Sequence, residues 1–202
     1  MSAGTDVEVE VRAPGRPRSR AADAAILDAT VDLYADLGFE GLSVNAVASR
    51  AGVSKATIYR RFPSKVDLVL AAATRAADRE HGDVDTGNVR DDLRGHVNAL
   101  VRLLTKTEIG RCVPTMVADK TRNTELAAAH NRFSARRRGR VVEAVRRGRE
   151  RGELRPDTDA DLVADLVVGP VFYRHLVSGG RIDRAYADHL VDAVLAGFVG
   201  LR

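Results

Sequence analysis

Apolar residues recur at helical spacing along most of this chain, and that periodicity restricts its fold more than any other feature. From residue 22 onward they return every three or four positions, as at Ile26, Ala29 and Leu33, which is typical of amphipathic helices. No stretch alternates apolar and polar residues for long enough to predict a strand. The sequence therefore predicts an all-α fold of about nine helices.

Segments rich in glycine, proline and aspartate separate the predicted helices. The clearest break is 81–88, and a turn around Pro156 precedes two strongly apolar stretches. We predict three regions, which are a basic arm over 1–17, a small helical domain over 18–64 and a larger helical domain over 65–202. The helices are expected over about 22–37, 44–50, 54–62, 64–79, 89–104, 108–118, 124–151, 160–177 and 183–201.

Composition excludes several classes of protein. The chain has 202 residues, of which 45% are apolar and 30% charged, so it is not disordered throughout. The one cysteine, Cys112, excludes an intrachain disulfide framework and is expected in the apolar core. The five histidines have no metal-binding spacing, and we expect Asp157, Asp159 and Asp161 to cap a helix rather than bind calcium. We predict no catalytic residue, no metal and no cofactor, and therefore no enzyme.

Charge is distributed unevenly along the chain, whose formal net charge is +4. Residues 11–65 carry a net charge of +4, residues 121–155 of +7 and residues 156–202 of −3. Basic segments indicate a polyanionic partner at one pole, although arginine-rich helices are also common on solvated surfaces. No run approaches the ~18 apolar residues of a membrane span, and the start lacks a signal peptide pattern. We therefore expect a cytoplasmic protein without membrane contacts.

Residues 43–68 form the most informative motif, SVNAVASRAGVSKATIYRRFPSKVDL. Two short helices joined by a tight turn at Gly52 make a helix-turn-helix unit. The outward face of the second helix carries Lys55, Thr57, Tyr59 and Arg60. These hydrogen-bond donors and the ring edge suit base edges and phosphates in a DNA major groove.

The same region resembles a known family. The stretch from Ile26 to Leu68 is similar to the N-terminal domain of tetracycline-repressor-like (TetR family) transcriptional regulators, and residues 152–177 resemble the ligand domain of one TetR subgroup. The chain departs from the family pattern at Ala56, where glycine is frequent, and at Val66, where an acidic residue is frequent. The residues that carry the N-terminal resemblance are Ile26, Ala29, Leu33, Gly38, Phe39, Leu42, Ser43, Val47, Ala48, Ala51, Gly52, Val53, Ser54, Thr57, Ile58, Tyr59, Phe62, Ser64 and Lys65.

The resemblance implies DNA-binding roles for individual residues. Amides at Ser43 and Val44 would hold a phosphate at the start of one helix, and Lys65 would meet a phosphate at the start of a later one. The recognition helix would bring Ser54, Lys55, Ala56, Thr57, Tyr59 and Arg60 to the DNA. Arg16, Arg18 and Arg20 either resemble the basic arm that some members lay into a minor groove or belong to a disordered tail.

The last two predicted helices carry more apolar surface than one chain can cover. Residues 160–177 are apolar nearly all round, which predicts a helix buried on every side, and 183–201 are apolar on two faces. A second copy would complete a four-helix bundle and space two recognition helices for a near-palindromic operator, so we expect a homodimer. The predicted dimer interface comprises Val171, His175, Tyr186, Leu190, Val191, Val194, Leu195 and Phe198.

A small-molecule effector is expected in the larger domain, coupled to the DNA-binding domain through the helix that begins at Ser64. Arg137 lies on the apolar stripe of the long helix, so its guanidinium either reaches water or meets a ligand carboxylate. The aromatic residues of this region belong either to a pocket or simply to the core. The predicted pocket comprises Leu100, Leu104, Met116, Phe133, Arg137, Phe172, Tyr173 and Leu176.

These features together predict a sequence-specific DNA-binding transcriptional regulator, namely a repressor that a small molecule releases from its operator. Its partners would be double-stranded DNA, a second copy of the chain and the effector. The alternative is a helical DNA-binding regulator without a small-molecule ligand, which a protein partner controls or which acts constitutively.

Overall fold

The computed structural model describes residues 17–80 and 84–198, with side chains from Arg20 onward. Within these ranges the chain forms nine α-helices and one short π-helical segment, without strands, which confirms the predicted all-α class. None of the helices described is long and apolar enough to cross a membrane. The elements are α1 (Pro17–Gly41), α2 (Val44–Ala51), α3 (Lys55–Tyr59), α4 (Lys65–Glu80), α5 (Val89–Lys106), α6 (Glu108–Lys120), α7 (Thr124–Glu150), α8 (Ala160–Tyr173), the π segment (Arg174–Ser178) and α9 (Arg184–Ala196).

The first helix begins earlier than the sequence predicts. It starts at Pro17, which suits the first turn of a helix because the amide that proline lacks has no partner there. Arg18 and Arg20 therefore belong to α1 rather than to an arm, although the side chain of Arg18 is not described. Arg16 and the other residues of the predicted arm before Pro17 lie outside the described residues. Near its other end α1 is interrupted at Gly38, whose positive φ of 66° lies in the region that favours glycine.

The buried face of α1 is rotated away from the predicted one. Ile26 is fully buried as expected, but Leu37 at the end of the apolar pattern is 52% exposed. Tyr34 is buried in its place, and its hydroxyl donates a 2.8 Å hydrogen bond to Asp119 of α6. A polar partner 85 residues away cannot be seen in local periodicity, which explains the error.

Side chains close in sequence cap several helices. At the start of α4 the Asp67 amide donates to the Ser64 hydroxyl at 3.0 Å, and the Ser64 amide donates to the Asp67 carboxylate at 3.2 Å. Asp159 caps α8, since its carboxylate accepts hydrogen bonds from the amides of Asp161 and Leu162. These caps fix where the helices begin.

The apolar side chains form two cores. The first core unites α1 to α4 with the facing residues of α6 and the beginning of α7. The second core unites α5, the C-terminal half of α7, α8 and α9. Leu103 and Leu104 are consecutive on α5 but belong to different cores, so α5 lies at the boundary between the two cores.

Helix α8 contradicts the prediction that it is buried on every side. Val163, Val167 and Val171 are fully buried in the second core, whereas Leu162 is 47% exposed and Tyr173 is 59% exposed. A helix that is apolar almost all round has no polar stripe to mark its outer face. Its sequence therefore could not tell which side would pack on its own chain.

Candidate DNA interface and ligand cavity

The helix-turn-helix unit forms as its sequence predicts. Gly52 joins α2 to α3 in the left-handed conformation, with φ of 64°, and its amide donates to carbonyl groups at the end of α2. A Cβ atom at Gly52 would meet nothing within 4 Å, so this position needs glycine for its backbone conformation rather than for space. Val47 and Ile58 are fully buried and hold the two helices against each other.

Two predicted DNA-binding serines act as helix caps. The Ser43 hydroxyl accepts a hydrogen bond from the Ala46 amide at 3.1 Å, and the Ser54 hydroxyl accepts one from the Thr57 amide at 3.2 Å. The hydroxyls of Ser54 and Thr57 also lie 2.9 Å apart. The side chain of Val44 is buried, so a phosphate contact at that position falls to its amide. These serines therefore position α2 and α3, and their contact with DNA stays a prediction.

The outer side of α3 presents a small polar surface. Lys55, Ala56, Tyr59 and Arg60 are all exposed, and we call these four residues the recognition surface. The Lys55 ammonium lies 5.7 Å from the centre of the Tyr59 ring, at the range of a cation–π contact. Thr57 is half-buried and stands apart from this surface.

Lys65 is engaged within the protein. Its ammonium donates a 2.7 Å hydrogen bond to the Phe39 carbonyl and lies 4.2 Å from the centre of the Phe39 ring. This contact ties the start of α4 to the end of α1. The predicted phosphate contact of Lys65 would use the other ammonium hydrogens and stays a prediction.

A cavity of about 430 Å³ lies where the two cores meet. Leu100, Leu104, Met116, Phe133, Arg137 and Phe172, which are six of the eight predicted pocket residues, line it. The cavity is also lined by His96 of α5 and by His130 and Ser134 of α7, which the predicted pocket does not include. Helical spacing from Arg137 could have indicated the two residues on α7, because they lie on the same face.

Two predicted pocket residues lie elsewhere. Tyr173 and Leu176 do not line the cavity and are 59% and 36% exposed. Placing them in the pocket was therefore wrong. The reason is the same as for the expected burial of α8, because the apolar pattern of this helix does not show which of its sides faces the core. The neighbouring Phe172 does line the cavity, because successive side chains of a helix point in directions about 100° apart.

Few polar groups line the cavity. The Arg137 guanidinium lies 5.5 Å from the centre of the Phe133 ring, and burial lowers its pKa to about 10, so it stays charged at neutral pH. Burial lowers the pKa of His96 to about 4 and also lowers the pKa of His130, so both rings are neutral there. Asp165 is held by Arg138, whose Nε atom donates to it at 2.8 Å. Arg137 and Arg138 are the basic side chains that line the cavity, and Asp165 is the acidic one.

The exposed apolar surface differs from the predicted dimer interface. Val171, Val191 and Leu195 are buried in the second core of their own chain, so placing them in an interface between copies was wrong. Tyr186, Leu190, Val194 and Phe198 are half-buried against the same core, and the His175 ring lies 3.3 Å from the Gly110 carbonyl. The large apolar side chains exposed in this half are Leu162, Leu166, Tyr173, Leu176 and Val177, which we call the α8 face.

Metal and thiol chemistry find little support in the part of the chain that the structure describes. No three His, Cys, Asp or Glu side chains there are grouped so that they could hold a metal ion. Cys112 is buried as predicted, and burial raises the pKa of its thiol to about 12. A thiol in that state is a core residue rather than a reactive group.

Comparison with known families agrees with this architecture. Residues 26–72 match the family described as bacterial regulatory proteins, tetR family, and residues 83–194 match the tetracyclin repressor-like C-terminal domain. The chain belongs to the TetR family. The resemblance in the helix-turn-helix region is thereby confirmed, and this TetR-family protein is a DNA-binding transcriptional regulator.

Individual relatives cover nearly the whole chain. The helix-turn-helix regulator YdeS of Bacillus subtilis is 34% identical over 189 residues, which are 93% of each protein. The DNA-binding transcriptional repressor TetR of Mycobacteroides abscessus is 32% identical over 185 residues, covering 88% of this chain and 94% of that protein. The crystal structure of the TetR-family regulator SCO0332 has a TM-score of 0.71 with 33% identity, covering 87% of this chain and 97% of that one.

Proposed function

We propose that this TetR-family regulator is a repressor that binds a near-palindromic operator as a homodimer and leaves it when a small molecule enters the cavity. The cavity between the two cores carries the proposal. Its volume of about 430 Å³ falls in the range of small-molecule sites, roughly 300–1,000 Å³, and its wall is apolar with a few polar groups. The relative from Mycobacteroides abscessus is a repressor, which favours repression over activation.

The recognition surface is proposed to enter the major groove. Lys55 and Arg60 offer charged donors to phosphates or guanine edges, while Tyr59 offers a ring and a hydroxyl. Ala56 between them is small enough to let the backbone of α3 approach the bases. Gly52 and the buried Ile58 hold α3 rigidly, so the surface needs no rearrangement before binding.

The α8 face is proposed to bind the same face of a second copy. TetR-family regulators bind DNA and typically dimerise. Leu162, Leu166 and Tyr173 repeat at helical spacing on one side of α8, so two copies related by a two-fold axis would bury them against each other. Such a pair would place two recognition surfaces on one side of the dimer, as a near-palindromic operator requires.

Two helices are proposed to carry the effector signal to the DNA-binding unit. On α6, Met116 lines the cavity, and one turn further Asp119 accepts 2.8 Å hydrogen bonds from both the Tyr34 hydroxyl and the Phe39 amide. On α4, Ala73 lines the cavity, and Arg75 donates a 2.6 Å hydrogen bond to Asp28 of α1. An effector that moves either helix therefore also moves α1. This proposal extends the predicted coupling through α4 by adding α6.

The test combines a binding screen with a cavity-filling variant. Compounds that raise the thermal midpoint of the protein are added to its complex with a DNA duplex that the protein itself selects from a random pool, and release is followed by fluorescence anisotropy. We expect Leu104→Trp to fill the cavity, bind this DNA normally and resist release. Lys106→Trp, on an exposed position of the same helix, should respond like the unmodified protein.

Two outcomes would contradict the proposal. Release of Leu104→Trp at the effector concentration that releases the unmodified protein would place the effector site outside the cavity. If compounds bind the cavity and none releases the DNA, the regulator is controlled by a protein partner or acts constitutively.

A further inference from the structure

We propose that a second copy of the chain completes the cavity, because its α8 face covers the opening of the cavity between α7 and α8. This inference rests on the proposed function, since it takes the cavity as the effector site and the α8 face as the dimer interface. It adds that a single chain holds an open site and that the dimer encloses it. It is carried by which lining residues are exposed, by the small residues at the opening and by the position of Gly169 on α8.

The exposed part of the cavity wall lies on two helices. Among the lining residues described, the exposed ones are Ser134 and Ala135 of α7 and Asp165 and Gly169 of α8. The lining residues of α5 are buried, and those of α6 are buried or half-buried. The cavity therefore opens to the surface between α7 and α8.

Small residues leave this opening between the two helices. Arg138 of α7 holds α8 at one point, because its Nε atom donates a 2.8 Å hydrogen bond to Asp165. One turn away from this pair, α7 carries Ala135 and α8 carries Gly169, and both line the cavity. The axes of packed helices usually lie roughly 8–10 Å apart, so a methyl group and a hydrogen atom are too small to fill the space between them. The chain does not seal this side of the cavity by itself.

Gly169 also lies within the surface that we assign to the dimer. It follows Leu166 by three residues and precedes Tyr173 by four, so the three residues lie along one side of α8. Leu166 and Tyr173 are exposed members of the α8 face, and a Cβ atom at Gly169 would meet nothing within 4 Å. The opening of the cavity thus reaches the α8 face between Leu166 and Tyr173.

A second copy that binds the α8 face therefore covers the opening as well. Its own α8 face offers leucine, tyrosine and valine side chains, and the missing side chain at Gly169 lets one of them approach the backbone of α8. That side chain would form the missing part of the wall and exclude water from the cavity. Small-molecule sites typically bury roughly 70–90% of the surface of the ligand, so closing this side strengthens the binding of an apolar ligand.

Effector binding and dimerisation are linked by this arrangement. A ligand that both copies enclose binds more tightly to the dimer than to the monomer, and by the same factor it tightens the dimer. The effector then lies at the interface that sets the distance between the two recognition surfaces.

Cysteine protection tests the proposal without a ligand. Ala135→Cys places a thiol at the opening, and the rate of its reaction with iodoacetamide is measured in the full-length dimer and in the Leu166→Glu monomer. We expect this thiol to react at least ~10-fold more slowly in the dimer, because a covered thiol is out of reach of the reagent and ionises less readily. The unmodified protein, whose Cys112 is buried, gives the background rate.

Arg136→Cys is the matched control. Arg136 is exposed on the same helix, does not line the cavity and donates a hydrogen bond to Thr74 of α4, so it lies away from α8. Its cysteine should react at the same rate in the dimer and in the monomer. If Leu166→Glu lacks a cooperative thermal transition, Tyr173→Glu, at another exposed position of the α8 face, serves as the second monomeric variant.

A larger side chain at Gly169 tests where the second copy lies. A Cβ atom there has space within its own chain, so Gly169→Leu should fold normally. It should raise the dissociation constant of the dimer at least ~10-fold, because it occupies the place of the side chain from the second copy. Glu143 lies seven residues after Arg136 and therefore on the same side of α7, so Glu143→Leu should leave the dissociation constant unchanged. Sedimentation equilibrium measures both variants.

The proposal is overturned if Ala135→Cys reacts equally fast in the dimer and the monomer, or if Gly169→Leu dimerises as the unmodified protein does. Either result contradicts the present inference alone when Leu166→Glu is monomeric and compounds that bind the cavity release the DNA. If Ala135→Cys is protected in the dimer and no compound that binds the cavity releases the DNA, the proposed function alone is contradicted. A Leu166→Glu protein that stays dimeric would overturn both, because no second copy then covers the α8 face.

Discussion

The two cores of this regulator differ in how completely each one covers its own apolar surface. Around the first core the large exposed apolar side chains are Leu37 and Tyr59, and Tyr59 belongs to the recognition surface. In the half built on the second core, the five side chains of the α8 face are exposed. The first core is therefore closed within one chain, whereas the second is left open along α8.

The two halves therefore expose their functional groups in different ways. The DNA-binding unit exposes a few polar groups on short helices that a closed core holds rigid. The second half exposes an apolar face whose burial requires a partner, and we assign that partner to a second copy. The cavity lies between the two halves, where some side chains of α5 pack in the first core and others in the second.

The largest expected effect comes from introducing a carboxylate into the second core. Leu195 is 1% exposed, so Leu195→Glu would bury an unpaired charge and remove more than ~4 kcal/mol of stability, enough to abolish cooperative unfolding. Leu166 is 39% exposed, so Leu166→Glu should leave the chain folded and monomeric.

Thermal unfolding, light scattering and operator titration distinguish these two variants. A monomer loses the second half-site contact, so Leu166→Glu should bind operator at least ~100-fold more weakly. A dimeric Leu166→Glu protein with normal operator affinity would show that the α8 face is not the dimer interface.

A second prediction concerns His96, which lines the cavity between the two cores, and its effect on how stability varies with pH. Burial lowers the pKa of His96 to about 4 from an ordinary 6.5, although the nearby Asp92 carboxylate opposes this shift. As the pH falls, His96 is therefore protonated in the unfolded chain before it is protonated in the folded one. The free energy of unfolding decreases by on the order of 3 kcal/mol between pH 6.5 and pH 4 because of this group.

Chemical unfolding at several pH values measures this contribution. His96→Gln should flatten the stability curve between pH 6.5 and 4, whereas His189→Gln, at an exposed position of α9, should keep its slope. Equal slopes for the unmodified protein and His96→Gln would show that His96 is protonated in the folded state too.

A third prediction tests whether the recognition surface acts independently of folding. Tyr59→Ala and Lys55→Ala should each weaken operator binding by ~1–3 kcal/mol with an unchanged thermal midpoint, because both side chains are exposed. Arg132→Ala removes an exposed charge from α7 instead and should bind as the unmodified protein does. Normal operator affinity in both α3 variants would refute the assignment of α3 as the recognition helix.

The smallest effect compares two glycines of the same helix. A Cβ at Gly148 would lie 2.7 Å from Cβ and Cγ2 of Val89, which is buried, so Gly148→Ala should cost about 1–2 kcal/mol of stability. A Cβ at Gly139 meets nothing within 4 Å, so Gly139→Ala should gain about 0.5–1 kcal/mol from helix propensity. Denaturant unfolding measures both, and a stabilising Gly148→Ala would show that α5 and α7 separate easily.

The helix-turn-helix region could be predicted because its determinants lie close together in the sequence. The tight turn at Gly52 forms as predicted, and the caps at Ser54 and at the Ser64–Asp67 pair also act within a few residues. The apolar stripe of α7 likewise predicted that Phe133 and Arg137 face inward together, because polar residues on the other side define its orientation.

The orientation of α8 and α9 was decided only by tertiary packing. Their sequences are apolar on more than one side, so either side could have packed on α5 and α7 at similar cost in free energy. The structure buries Val171, Val191 and Leu195 and exposes Tyr173 and Leu176, the reverse of the predicted arrangement. Periodicity identifies a helix and its polar side, whereas the choice between two apolar sides depends on the shape of the neighbouring helices, which no local pattern contains.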